Sequence, residues 1–287
     1  MKIVFAHPTY EYGSYHYFRE LARLSGFGVC SIPQIDLMRD VVYIVSPACK
    51  ELALHLIGQQ AVASQVRAKV IYWNLERPDV PTEEVGVLPG NAVHASTASV
   101  LQLPGVVKAW VSDRYQASLD SLHQFVVLGS DRRLGAYPST KKEWDFCHYS
   151  YVWGRRQAPM DLLRQRLKCA PEDVLPQVRH DALSKSRAII SIHQTEAPVL
   201  EVLRSAWSAA YHLPLICERV EDPWPLKQGT HFCELDTDIG RLREFAQLMS
   251  EGQVRGLDML GEARWDLLCN KYPFRDCVEQ AVEEILR

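Results

Sequence analysis

The sequence predicts an α/β protein in two parts, each a parallel sheet covered by helices. Short β-rich runs alternate with helical stretches along most of the chain. Several runs are apolar without interruption, as in Val41-Val42-Tyr43-Ile44-Val45, which suits strands covered on both faces. The alternation stops once, over Gly129–Lys142, where Gly, Ser, Asp, Pro and two basic pairs replace the apolar periodicity; it then restarts. At 287 residues the chain exceeds the common single-domain size, which favours two domains.

In the first half the expected strands are Lys2–Ala6, Gly28–Ile32, Val41–Val45, Lys69–Trp73, Val106–Val111 and Phe125–Leu128. Helices are expected between them at Tyr15–Leu24, Ala48–Ser64, Ala95–Leu101 and Asp113–Leu122. After the linker the pattern predicts a strand over Asp145–Val152, helices over Ala158–Leu167 and Asp181–Ser186, and a strand at Ala188–Ile192. A helix over Pro198–Tyr211, strands at Pro214–Cys217 and His231–Leu235, and a helix at Thr237–Ser250 follow. The stretch Trp265–Arg287 reads as one terminal helix.

Composition narrows the class. A net charge of -3 exerts no global pull toward nucleic acid or an anionic membrane. The opening MKIVFAHP reads as a buried strand rather than a signal peptide, and no apolar run approaches the length of a membrane span. The eight cysteines include no C-x-x-C pair, so no zinc site is signalled, and most sit in apolar runs as reduced core thiols would. A cytoplasmic protein is the expectation.

The most informative stretch is AIISIHQTEAPVLEVLRSAWSAAYHLPLICE, residues 188–218. It reads as buried strand, polar loop, helix and second strand, with Pro198 at the first helical position and Glu218 at the carboxyl end of the second strand. Val199, Leu200, Leu203, Ala206, Trp207 and Ala210 would share one helical face. Loops at the carboxyl ends of parallel strands line the ligand crevice. A helix N-terminus there offers free N–H groups to phosphates, and the carboxylate of Glu201 can accept from ribose hydroxyls.

This segment resembles the donor-binding motif of GT-B glycosyltransferases, in which a Glu, seven residues and a second Glu lead into a helix. Glu201 matches the second Glu; His193 stands where the first would be. The run Leu200-Glu201-x-x-Arg204, followed by Leu-Pro-Leu-Ile-Cys-Glu ending at Glu218, is similar to LE-x-x-R…G-x-P-V-V-x-E of bacterial and phage-type members, with His212 at the usual Gly position. Val152-Trp153-Gly154-Arg155-Arg156 resembles the family's V-G-R segment, whose guanidinium pairs with a diphosphate.

The resemblance implies two Rossmann-like domains facing across a cleft, at 1–135 and 136–270, with residues 271–287 forming a helix that crosses back to the first. It implies a nucleoside diphosphate sugar donor, with UDP as the expected carrier, and no obligatory metal. The implied donor site is Gly154, Arg155, Arg156, Lys185, His193, Glu201, Arg204 and Glu218. Glu201 would anchor the ribose, His193 would touch the donor sugar or its phosphate, and Arg155 or Arg156 would stabilise the departing diphosphate. Basic residues outnumber acidic ones between Asp131 and Ala188, which suits an anionic donor.

The first half would carry the acceptor. Its first strand–helix loop, His7–His16, is rich in aromatic and polar groups and lacks an intact dinucleotide fingerprint. A general base is expected among Glu11, His16 and Glu76, with Asp113 a further carboxylate near a strand end. The acceptor would be a carbohydrate, a glycolipid or a modified nucleic acid; the sequence sets no oligomeric state. Rival readings are a DNA-base glycosyltransferase of phage type, a nucleotide-sugar epimerase, and a non-catalytic subunit of the same fold.

Overall fold

The computed structural model describes residues 1–9, 13–46, 50–62, 65–75, 97–135, 141–148, 152–171, 176–193 and 196–287. The chain divides into two units, Met1–Val127 with Arg275–Arg287, and Leu128–Phe274.

The first unit holds β1 (Lys2–His7), α1 (Gly13–Leu24), β2 (Gly28–Ser31), β3 (Val41–Val45), α2 (Lys50–Val62), β4 (Lys69–Asn74), α3 (Thr97–Leu101), β5 (Val106–Val111), α4 (Arg114–Leu119) and β6 (His123–Phe125). These strands form one six-stranded sheet in the order β2-β1-β3-β4-β5-β6, every pair parallel. The α/β class with a parallel sheet, expected from the alternation, is therefore the class observed. Strand order reverses between β1 and β3, the position where parallel α/β sheets open a crevice.

Alternation along the strands builds two apolar layers. On one face Val4, Ala6, Tyr43, Val45, Val70 and Tyr72 pack with Leu52 and Leu56 of α2 and Val100 of α3. A chain of aromatic contacts involves the other strand residues: Phe5 meets Phe18 of α1 edge-on at 5.1 Å, Phe18 meets Trp73 at 5.3 Å, and Trp73 meets Trp110 at 5.2 Å. Such pairs contribute about 0.5–1.5 kcal/mol each beyond area burial. Strand β6 lies earlier than the expected Phe125–Leu128. Its register against β5 ends at Val111–Phe125, and β5 has no further residue to pair.

The second unit contains α5 (Gln157–Arg164), α6 (Pro176–Lys185), β7 (Ile189–Ser191), α7 (Val202–Ala209), β8 (Leu215–Cys217), β9 (Phe232–Glu234), α8 (Ile239–Ser250) and α9 (Leu257–Trp265). Strands β7, β8 and β9 pair in parallel in that order. The expected strand Asp145–Val152 is reduced to bridges, Trp144 with Ser186 and Cys147 with Ile189, while Phe146 bridges Cys169 on the other side. Residues 149–151 of that expectation lie outside the described residues. Reading across, segment 169, segment 144–147, β7, β8 and β9 repeat the first five positions of the six-stranded sheet.

The two faces of this sheet differ in chemistry. Phe146, Ile190 and Ile216 pack with Met160 and Leu163 of α5 and Leu242, Ala246 and Met249 of α8 in an apolar core. On α7 and α9, by contrast, polar side chains are buried. Arg264 is fully buried, and its Nη2 donates to Ser208 Oγ at 2.9 Å and to the Leu213 carbonyl. Its guanidinium thus sits at the C-terminal turn of α7, where a cation complements the helix dipole. Burial pulls Arg264 down to about 9.

Three expectations need correction here. Helix α7 starts at Val202, not Pro198. Pro198 gives its carbonyl to the Glu221 N–H at 2.8 Å and Val199 N–H bonds the Ala197 carbonyl at 2.8 Å, so the chain is held out of helix up to Glu201, the N-cap. Burial covers Ser205 through Ala209 without a break, so α7 is enclosed rather than amphipathic over that stretch. The terminal stretch is two helices: α9 continues into a π-type turn over Asp266–Lys271, and a new helix, α10 (Phe274–Leu286), follows Pro273. Proline lacks the N–H that a continuous helix needs.

His212 explains its motif position. Its φ is 56°, the left-handed conformation that ends α7 and that glycine adopts without cost. Here the imidazole stacks on Trp265 at 4.6 Å and bonds Glu262 at 2.9 Å. Gly261 passes over the same turn so closely that a Cβ would stand 2.1 Å from the His212 carbonyl oxygen. Gly261→Ala is expected to lower stability by about 1–3 kcal/mol or more. Urea unfolding checks this, and an unchanged midpoint contradicts it.

Candidate functional site

The carboxyl edge of the second sheet gathers most of the expected residues. Gly154 opens a short 3-10 turn, Gly154–Arg156, after segment 144–147. Its φ is +60° with open space where a Cβ would stand, so the requirement for glycine is a backbone one. The turn sends Arg155 and Arg156 to two different carboxylates.

Arg155 forms a bidentate pair with Glu218, which follows β8. Its Nη1 donates to Oε2 at 2.6 Å and to the His193 carbonyl at 3.0 Å, and its Nη2 donates to Oε1 at 2.7 Å. The His193 N–H, just past β7, donates to the same Oε2 at 2.5 Å. The Thr237 hydroxyl, beyond β9, donates to Oε1 at 3.0 Å. One carboxylate thus ties together four strand ends. Burial pushes the Glu218 carboxyl up, but the Arg155 pairing and the His193 N–H outweigh it and hold it below its ordinary value. The same hydrogen bond raises Arg155.

Arg156 is buried. Its Nε donates to the Ile192 carbonyl at 2.7 Å and its Nη2 to Glu201 Oε1 at 2.7 Å. Arg204, one turn into α7, takes Glu201 Oε2 at 2.7 Å and also donates to Ser191 Oγ at 3.1 Å. Glu201 therefore stands between two guanidinium groups. His193 is itself buried, and its Nε2 meets the Arg219 carbonyl at 3.0 Å.

Other residues fall elsewhere. Lys185 ends α6 beside Glu143, at 3.6 Å, and its carbonyl receives the N–H groups of Glu143 and Trp144. It lies at the amino ends of the strands, on the edge opposite Arg155, because α6 runs down the sheet before β7 begins. His16 lies on α1, and its Nδ1 accepts from the Arg19 guanidinium, which can only donate. Asp113 caps α4, accepting the Gln116 N–H at 2.7 Å. Glu11 and Glu76 lie outside the described residues. Among the described residues no group of three or more His, Cys, Asp or Glu could hold a metal ion, and no helix is long and apolar enough to cross a membrane.

Sequence reasoning missed Thr237, Ser191 and His148. Thr237 carried a usable signal, since it follows β9 at the ligand edge and precedes the Asp238 cap of α8. His148 is buried, with Nδ1 2.8 Å from the Ile190 carbonyl and Nε2 without a hydrogen-bond partner among the described residues. Burial, and then the Arg204 charge, push its imidazole well below its ordinary value.

No family model matches the chain, and no curated protein matches it in sequence. Solved structures match in fold. HepE from Anabaena, in complex with UDP and glucose, matches with a TM-score of 0.62 at 9% identity over 99% of both chains. A glycosyltransferase from Rickettsia africae matches with a TM-score of 0.52 at 8% identity, over 100% of this chain and 99% of that one. The lipopolysaccharide outer core galactosyltransferase WaaB, in its apo form, matches with a TM-score of 0.52 at 9% identity over 99% of both. The chain has the fold of these GT-B glycosyltransferases.

Two buried groups make stability depend on pH. His148 is neutral when folded, whereas the unfolded chain takes up its proton below about 6.5; its contribution is full above that pH and is lost as pH falls. Glu218 contributes above its ordinary 4.5, and that contribution is lost as pH falls through its lowered folded value. Urea midpoints are therefore expected to fall between pH 7 and 5 through His148, and through Glu218 only below about pH 4.5. His148→Gln should reduce that slope, and a variant with the parent's slope contradicts the assignment.

Proposed function

We propose that this chain is a glycosyltransferase that moves a sugar from a nucleoside diphosphate sugar, with UDP as the carrier, to an acceptor hydroxyl. The observation that carries the reading is the convergence of Arg155, His193, Glu201 and Glu218 at the carboxyl edge of one parallel sheet in a GT-B fold. The HepE structures, one holding UDP and glucose and another UDP-glucose, support a donor of this chemical class.

In transfer, the bond from the sugar's anomeric carbon to the diphosphate oxygen breaks, and a bond to the acceptor oxygen forms. Charge gathers on the departing diphosphate while the sugar becomes oxocarbenium-like. Arg155, the more exposed guanidinium of the site, is assigned to that charge. A preorganised cation acts most where charge develops, and it needs no reorganisation at that moment. The structure's correction of the helix start removes Pro198 from this role. Glu201 is assigned to the ribose hydroxyls. The acceptor proton passes to a general base, with Glu11, His16 and Glu76 as candidates. No step is assigned to a metal ion.

Replacing Glu201 with Ala would leave Arg156 buried without its carboxylate, which is costly in itself. Glu201→Gln is the better probe. It is expected to weaken UDP binding by about tenfold or more, with the melting curve still cooperative. Calorimetry that finds unchanged affinity contradicts the ribose assignment. Arg155→Lys keeps a charge but loses the fork. It is expected to lower kcat for transfer from UDP-glucose by about a hundredfold with a smaller change in KM. Unchanged kcat removes Arg155 from the leaving-group role.

A further inference from the structure

Arg155 and Arg156 are adjacent in sequence and differ in surroundings. The Arg155 side chain is 34% exposed and holds Glu218, whereas that of Arg156 is 2% exposed. Arg156 is bonded at two points of its plane, Nε to the Ile192 carbonyl and Nη2 to Glu201, both at 2.7 Å. A guanidinium is rigid, so two such bonds fix its orientation. Turning it toward a phosphate would strip a buried carbonyl and a carboxylate of their donor, and unmade buried hydrogen bonds are costly.

Arg204 grips Glu201 from the other side. It takes Oε2 at 2.7 Å, and its second bond, to Ser191 Oγ at 3.1 Å, anchors it to the end of β7. Each Glu201 oxygen thus has its own guanidinium, and each guanidinium is tied to β7 or the chain just past it. Glu201 is the N-cap of α7, but its side chain caps nothing. Its orientation comes from the two arginines rather than from the helix. A carboxylate accepts at several positions and can serve more than one donor at a time.

We propose that Arg156 and Arg204 are positioning residues that act on a bound nucleotide through Glu201, while Arg155 serves the diphosphate. This rests on the donor reading given above and deepens it. The two neighbouring cations divide the nucleotide between them. One is set toward the phosphates, and the other fixes the carboxylate that reads the sugar ring of the nucleoside.

The division is measurable by comparing UDP with 2′,3′-dideoxy-UDP in calorimetric titrations of the full chain. The parent is expected to prefer UDP by about tenfold or more, the worth of hydroxyl bonds to a carboxylate. Arg156→Lys keeps the buried charge but cannot reproduce both bonds. It should reduce that preference to about twofold or less while leaving affinity for the dideoxy nucleotide within about twofold. Arg204→Lys, at a less buried position, should do the same and guards against a folding defect in the Arg156 variant. Arg155→Lys should weaken both nucleotides equally and leave the preference intact. If Arg156→Lys and Arg204→Lys weaken both nucleotides equally, those arginines act on the phosphates and the proposal is overturned. A parent that binds UDP without preferring it also overturns the proposal, with the donor reading intact. A parent that binds neither nucleotide removes both.

Discussion

A charge removed from water must be matched where it is buried, and that constraint organises the strand ends of the second unit. Glu218 is matched by Arg155, and Glu201 by Arg156 and Arg204. Each pairing crosses between elements. The Arg155–Glu218 pair joins the turn after segment 144–147 to the end of β8, while His193 and Thr237 bring in β7 and β9. The Arg156–Glu201 pair joins that same turn to the entrance of α7. Removing one partner would leave the other charge buried and loosen several loops at once. The site is therefore two ionic groups joined at the one turn that carries both Arg155 and Arg156.

The rest of the unit follows from this arrangement. The face packed on α5 and α8 is an ordinary apolar core. The opposite side accommodates the helix that carries Glu201 and Arg204. Its C-terminal turn is closed by His212 in the left-handed conformation and by the buried Arg264. The close passage of Gly261 lets α9 approach that turn. Cationic groups thus stand at both ends of α7, one meeting the Glu201 carboxylate and the other the Ser208 hydroxyl and the Leu213 carbonyl just past the helix.

Much of the fold was legible because the strands are long apolar runs between helical stretches, and no competing pattern exists for Val41–Val45 or Val70–Trp73. The Glu201–Arg204 pair was also legible, being three residues apart at the start of a helix. The pairs that complete the site were not. Arg156 and Glu201 are 45 residues apart, and Arg155 and Glu218 are 63 apart, so only the folded sheet brings them together. Pro198 misled for a related reason. Proline is compatible with a first helical turn, but the tie from Glu221 to its carbonyl keeps the chain extended. Lys185 fitted a phosphate role by charge and nearness to β7, yet the direction of α6 puts it at the wrong edge.

The most direct test of the central claim is a crystal structure of the chain with UDP. The account predicts the ribose hydroxyls within hydrogen-bonding distance of the Glu201 carboxylate, with Arg156 and Arg204 still holding it, and the diphosphate beside Arg155 while that residue still holds Glu218. A nucleotide bound away from Glu201, or one whose phosphates are held by Arg156, would contradict it.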